Sequence, residues 1–153
     1  MSGNTVESTQ LGIVPVSYNA DSDQTVIVGN HVGGTQTYDA IDVCSNNNGI
    51  QKNVIYGSSE SGIHLDDTCS ASDSYPNSGN SNTVTGNTIN EACAGILQGP
   101  LCASNLIPFS GVNANTVMNV GNLVLGSDSC SPTLAPTGKA ARLRPSPFAP
   151  NRN

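Results

Sequence analysis

The 153-residue sequence predicts an all-β fold assembled from a repeat. Three observations carry that expectation. A segment centred on asparagine recurs four times, and a second segment, a small residue followed by isoleucine, alternates with it. No stretch gives a convincing helical period, whereas apolar residues alternate with polar ones between clusters of Gly, Asn and Ser.

In chain order the small-residue–isoleucine segments are GIVPV (12–16), AIDVC (40–44), GIHLD (62–66) and GILQG (95–99). Each reads as a strand entered through a tight bend. The asparagine segments are VIVGNHV (26–32), GIQKNVI (49–55), TVTGNTI (83–89) and MNVGNLV (118–124). Aligned on Asn30, Asn53, Asn87 and Asn122, each has an aliphatic residue two positions later, and the first three also have one three positions earlier. The fourth carries Asn119 there. The asparagine spacings are 23, 34 and 35 residues. The shortest suffices for three short strands and their turns, so the longer circuits imply insertions of about a dozen residues. Two turn-rich stretches are expected to supply them, at 70–81 and 100–111. Insertions on a repeat fold gather as loops on one side.

The pairing of "GI-x-L" with "N-x-V-x-GN-x-I" resembles the right-handed parallel β-helix repeat of pectate-lyase-like proteins and NosD-type periplasmic proteins. The resemblance covers roughly residues 4 to 126, four rungs with a partial one at the start, where NTV (4–6) echoes 82–84 and 115–117. It implies a solenoid in which each rung bonds to the next at about 4.8 Å, stacking equivalent residues into columns. The recurrent asparagine would then form an internal amide ladder; a plain turn former tolerating the left-handed conformation is the simpler alternative. Such solenoids host lyases, hydrolases, epimerases and inert stalks, so the fold says little about function. The domain is expected over 1–130. The tail, 131–153, holds five of the nine prolines and is expected to be disordered or extended along the solenoid. The first rung lacks a capping element, which points to a longer parent chain or to end-to-end self-association.

Charge excludes one class of partner. Charged residues are 10% of the chain, and all eleven acids precede residue 131, with Lys52 the one basic residue among them. A body of net charge −10 cannot cradle phosphates, so nucleic acid is not an expected partner. No apolar run approaches the roughly 20 residues of a membrane helix. MSGNTVESTQ has neither the basic nor the apolar region of a signal peptide. Five cysteines nonetheless suit an oxidising compartment, and extracellular or periplasmic residence is the expectation; a cytosolic protein with five thiols is the alternative.

The cysteines mark register. Cys69 follows Ile63 by six residues and Cys102 follows Ile96 by six, which predicts a Cys69–Cys102 disulfide closing the two inserted loops. Cys93 and Cys130 form a looser candidate pair, leaving Cys44 as a thiol. No cysteine pair has the close spacing of a structural zinc site, and no metal site is expected from them.

Stacking the isoleucines places Asp42 beside His64, with Asp66 two residues further along the same strand face. Val14 and Leu97 border the patch in the same column. Alternation buries Ile63 and Leu65 and turns Asp42, His64 and Asp66 outward, where polar residues need no purpose. If the chain has chemistry, these three are its candidate catalytic residues, serving as the acid and base of a polysaccharide hydrolase or epimerase. Alternatively, Asp42, Asp66 and Asp67 would be the oxygen ligands of a calcium-dependent lyase. The resemblance also exposes departures: the Arg-x-Lys, Gly-His-Gly and Asp-Pro-His elements of such enzymes are missing, and the repeat region holds no arginine. A structural or glycan-binding module without chemistry, and without a required cofactor, is therefore the first expectation. Any polysaccharide would lie beside the Asp42–His64–Asp66 strand, contacting Asp67, Tyr75 and Phe109.

Overall fold

The structure is a computed structural model that describes residues 1–16, 23–35, 37–67, 69 and 78–125, with the backbone alone at 122–125. The 131–153 tail and Tyr75 lie outside the described residues. Among the described residues there are ten strands and no helix. They are β1 (Thr5–Glu7), β2 (Val26–Val28), β3 (His31–Gly33), β4 (Ile41–Val43), β5 (Gly49–Gln51), β6 (Val54–Leu65), β7 (Thr83–Thr85), β8 (Thr88–Gln98), β9 (Thr116–Met118) and β10 (Asn122–Leu125). The all-β expectation is borne out, and every strand pairing is parallel.

Two parallel sheets share the chain. The smaller has the order β2-β5-β7; the larger runs β1-β3-β6-β8-β10, with β4 also paired to β6 and β9 to β8. Successive passes of the chain pair in register, so apolar residues fall into columns. Ile27, Ile50 and Val84 form one. Val32, Ile55 and Ile89 form a second, continued at its ends by Val6 and Val117. Ile13, Ile41, Ile63 and Ile96 form the third, as the isoleucine alignment predicts. These columns meet in one aliphatic core, in which Ile41, Ile50, Ile55, Ile63, Ile89 and Ile96 are fully buried. Each such side chain contributes roughly 1.5–3 kcal/mol. With no tryptophan in the chain, branched aliphatics carry the packing.

The glycine ahead of Ile63 has a steric cause. A Cβ on Gly62 would come within 2.5 Å of Ile89 Cγ2 and 2.8 Å of the Gly95 carbonyl oxygen, so the neighbouring pass can close only against a residue without one.

Asparagine ladders form the polar counterpart of the core. Asn4, Asn30, Asn53, Asn87 and Asn115 stack in sequence. Each Oδ1 accepts both the backbone N–H and the side-chain amide of the preceding asparagine, at 2.9–3.1 Å. The last member is Asn115, not Asn122 as the motif alignment predicts. Asn122 instead pairs opposite Ala94 in β10. The Gly-Asn at 121–122 is a decoy: the true fourth repeat is NTV (115–117), one of the short echoes, and the circuit from Asn87 is 28 residues. A second ladder joins Asn48, Asn82 and Asn105, and begins at the backbone of Thr25. Its last member lies within the expected 100–111 insertion. That stretch is thus partly in register, with Leu106 bridging Thr83.

The ladders sit at corners. Gly3, Gly29, Lys52 and Gly86 immediately precede ladder asparagines and all have φ between 53° and 66°. Gln24, Asn47, Ser81 and Ser104 take the same place at the second corner, ahead of Thr25, Asn48, Asn82 and Asn105, with φ between 56° and 65°. The left-handed residue turns the strand direction and aims the following asparagine inward. Glycine is the unstrained choice there, which explains the Gly-Asn pairs visible in the sequence.

Candidate functional site

β4 and β6 position the candidate residues. Asp42 pairs with His64, and His64 with Leu97, so the column Val14–Asp42–His64–Leu97 stands where the isoleucine stacking predicts it. Their environment differs from expectation. His64 and Asp66 are 7% and 8% exposed, and the Asp42 side chain is 15% exposed. Alternation turns these side chains away from the isoleucine column without delivering them to solvent.

An acid that sequence reasoning missed sits at the centre of the cluster. Asp39 Oδ2 lies 3.2 Å from His64 Nδ1, and its Oδ1 accepts the Ser61 N–H at 2.8 Å and the Ser61 hydroxyl. The network extends outward through hydroxyls. Ser58 donates to the Ser61 carbonyl at 2.7 Å, and Thr35 donates to Ser58 at 2.9 Å. The signal was available: Asp39 precedes Ile41 by two residues as Ser61 precedes Ile63, so the stacking that pairs Asp42 with His64 also brings Asp39 to Ser61.

Asp42 Oδ1 is the second carboxylate against the imidazole, 3.8 Å from Nδ1. Burial and the Asp39 charge push the Asp42 carboxyl up to about 8, against a smaller opposing pull from His64. Burial alone would lower the His64 pKa, but the hydrogen bond to Asp39 and the charges of Asp39, Asp66 and Asp42 outweigh it and raise it to about 9. Both shifts favour the protonated forms, an imidazolium clamped by Asp39 and a neutral Asp42 carboxyl.

A disulfide closes this cluster, and its pairing corrects the sequence reading. Cys69 is bonded to Cys44, with Cα atoms 5.5 Å apart, and not to Cys102. Equal offsets from Ile63 and Ile96 imply equal paths only if both strands continue alike. Beyond Asp67 the chain instead brings Cys69 back over the strand end, its sulfur 3.0 Å from Asp66 Oδ2 and 3.9 Å from Asp42 Oδ1. Cys44 is therefore no lone thiol. Cys102 stays a buried thiol, its sulfur 3.1 Å from the Leu65 carbonyl oxygen. Cys93 is disulfide-bonded, and its expected partner Cys130 lies outside the described residues.

The remaining candidates do not join the cluster. Asp67 Oδ2 accepts the Leu101 N–H at 2.6 Å, and its other oxygen packs against Gly99, where a Cβ would collide with it. Asp67 thus anchors the 99–101 turn, and its carboxylate is in neither of the groups that converge. The side-chain groups that do converge are Asp39, Asp42 and His64 on one side, and Asp42, Cys44, Asp66 and Cys69 on the other. Phe109 is 38% exposed and free to meet a ligand face.

No family model, curated protein or solved structure matches the chain significantly.

Proposed function

We propose that this chain is a right-handed parallel β-helix module with a structural or glycan-binding role in a secreted or cell-surface protein, and without chemistry of its own. The observation that carries this reading is the engagement of the acid–imidazole cluster. His64, Asp39 and Asp66 are buried, bonded within the protein and sealed by the Cys44–Cys69 disulfide. A catalytic acid or base must reach a reacting atom within hydrogen-bond distance. Groups fixed this way stabilise a strand end instead. The in-register parallel strands, the ladders and the repeated left-handed corners support the helical winding. A disulfide supports an oxidising compartment. Phe109, exposed at 38%, is the aromatic candidate for stacking on a sugar ring.

A second reading, a polysaccharide-active enzyme, is favoured by one observation. Asp42 is the least covered member of the cluster and holds its proton near neutral pH, as a general acid requires. A glycan array combined with lyase and reducing-sugar screens, with and without calcium, separates the two. The module reading expects no turnover and, if a glycan binds, weakening by Phe109→Ala with no effect of Asp42→Asn. Turnover abolished by Asp42→Asn in a folded protein would establish the enzyme instead.

A further inference from the structure

Two short motifs on adjacent strands converge at the closed end of the cluster: Asp42-x-Cys44 on β4 and its extension, and Asp66-x-x-Cys69 just beyond β6. The Asp42 and Asp66 carboxylate oxygens and the two sulfurs all lie within 4.8 Å of one another. We propose that this is a redox-gated zinc site: with the disulfide reduced, Cys44 Sγ, Cys69 Sγ and one oxygen each of Asp42 and Asp66 bind a single Zn2+.

The distances fit that ion. Tetrahedral zinc with Zn–S of about 2.3 Å and Zn–O of about 2.1 Å holds its ligand atoms roughly 3.4–3.8 Å apart. Cys69 Sγ already stands 3.0 Å from Asp66 Oδ2 and 3.9 Å from Asp42 Oδ1. The two sulfurs must separate, which breaking their bond permits, and the other ligand atoms, all within 4.8 Å of one another, need shift by about 1 Å or less. Two thiolates select a borderline-soft metal, whereas calcium needs six to eight oxygens that the site does not offer. Two thiolates and two carboxylates carry the same formal charge as a four-thiolate structural site.

The surroundings supply orientation. His64 Nδ1 lies 3.8 Å from Asp42 Oδ1 and is held from behind by Asp39, a second layer that fixes the Asp42 carboxylate. Cys44 is 3% exposed and Asp66 is 8% exposed, so reduction alone would leave two thiols packed against the Asp66 carboxylate and the Asp42 carboxyl with little water around them. A divalent cation offsets the negative charge that these four groups acquire as they lose their protons. All four ligands come from the protein and the site is closed, so the metal is structural: it holds the chain beyond Asp67 to β4 as the disulfide does.

The redox step balances. A dithiol reductant passes two electrons to the Cys44–Cys69 bond and becomes a cyclic disulfide, its two protons ending on the cysteine sulfurs. Zinc then displaces three protons to solvent, the two on the cysteine sulfurs and the one on the Asp42 carboxyl.

The test uses the whole chain, reduced anaerobically with dithiothreitol, desalted and titrated with Co2+ and then Zn2+. The expected result is one equivalent bound, with a thiolate-to-cobalt charge-transfer band that Zn2+ bleaches. That band is retained in Cys102→Ser and in the Cys93→Ser/Cys130→Ser double variant. Cys44→Ser and Cys69→Ser lose it. Asp66→Asn, which can still form the disulfide, weakens Co2+ binding at least tenfold, and the oxidised protein gives no band. Circular dichroism recorded in parallel tracks the strands. A reduced protein that keeps its strand signal without a cobalt–thiolate band overturns the proposal. So does a reduced protein that loses its strand signal and does not regain it with Zn2+, or a band that survives Cys44→Ser.

Discussion

Replacing Asn53 by alanine removes the centre of the longest ladder, and its cost follows from the bonds it breaks. Asn53 is fully buried. Its Oδ1 accepts the Asn30 N–H at 2.9 Å and the Asn30 amide at 3.0 Å, while its own amide donates to the Ile27 carbonyl at 3.0 Å and to Asn87 Oδ1 at 2.9 Å. Asn87 Oδ1 keeps the Asn53 backbone donor after the change, so its loss is partial. The Asn30 backbone N–H loses this acceptor, and the Asn30 amide keeps only a long 3.4 Å contact to the Met1 carbonyl. Each buried polar group left unsatisfied costs about 1–3 kcal/mol, so Asn53→Ala should destabilise by about 3–5 kcal/mol. That is a large part of the roughly 5–15 kcal/mol that a domain possesses. Asn4→Ala is the internal control: Asn4 is exposed, its amide contacts only Ser2 and Asn30, and Asn30 Oδ1 keeps the Asn4 backbone donor. It should cost below about 1 kcal/mol. Asn53→Asp preserves shape and the acceptor but turns an oxygen toward the Ile27 carbonyl and Asn87 Oδ1. It should be more damaging at pH 7 than at pH 4, where the carboxyl can donate. Urea unfolding followed by circular dichroism, with m unchanged, measures all three. An Asn53→Ala cost equal to that of Asn4→Ala would refute the ladder as a structural element.

Three further outcomes are expected. His64 and Asp42 both bind protons more tightly in the folded chain. The His64 contribution is complete below pH 6.5 and lost as pH rises through about 9, and Asp42 lowers stability progressively between pH 3.8 and about 8. The melting temperature should therefore fall with rising pH across this range and fall less steeply in Asp42→Asn; a rise from pH 6 to 9 would contradict both shifts. Lys52 holds φ of 53°, so Lys52→Gly should stabilise by up to about 1 kcal/mol in thermal melts, and destabilisation would count against the corner geometry. Peptide mapping of unreduced protein should recover a Cys44–Cys69 link, with Cys102 alkylated only after denaturation; the link's sequence separation of 25 makes it worth about 3.5 kcal/mol by chain entropy, measurable in Cys44→Ser/Cys69→Ser.

Local periodicity by itself determined much of this protein. Side chains alternate every second residue in any strand, and a parallel stack repeats one strand upon the next. Aligning Ile13, Ile41, Ile63 and Ile96 was therefore enough to place Asp42 against His64, and the Gly-Asn pairs marked real corners at Asn30 and Asn87. The same reasoning lost its hold wherever the chain left the repeat. The Gly-Asn pair at 121–122 mimicked a corner because two residues cannot reveal how many precede them in the circuit. Asn115, without the glycine, took the ladder position instead. Only the tertiary structure decided that Cys69 returns to Cys44, that Asp39 reaches the imidazole and that most of the cluster is buried. Each of these depends on the path of a segment after a strand ends. That path is set by loop closure and packing between residues some 25 apart in sequence, and no two- or three-residue period encodes it.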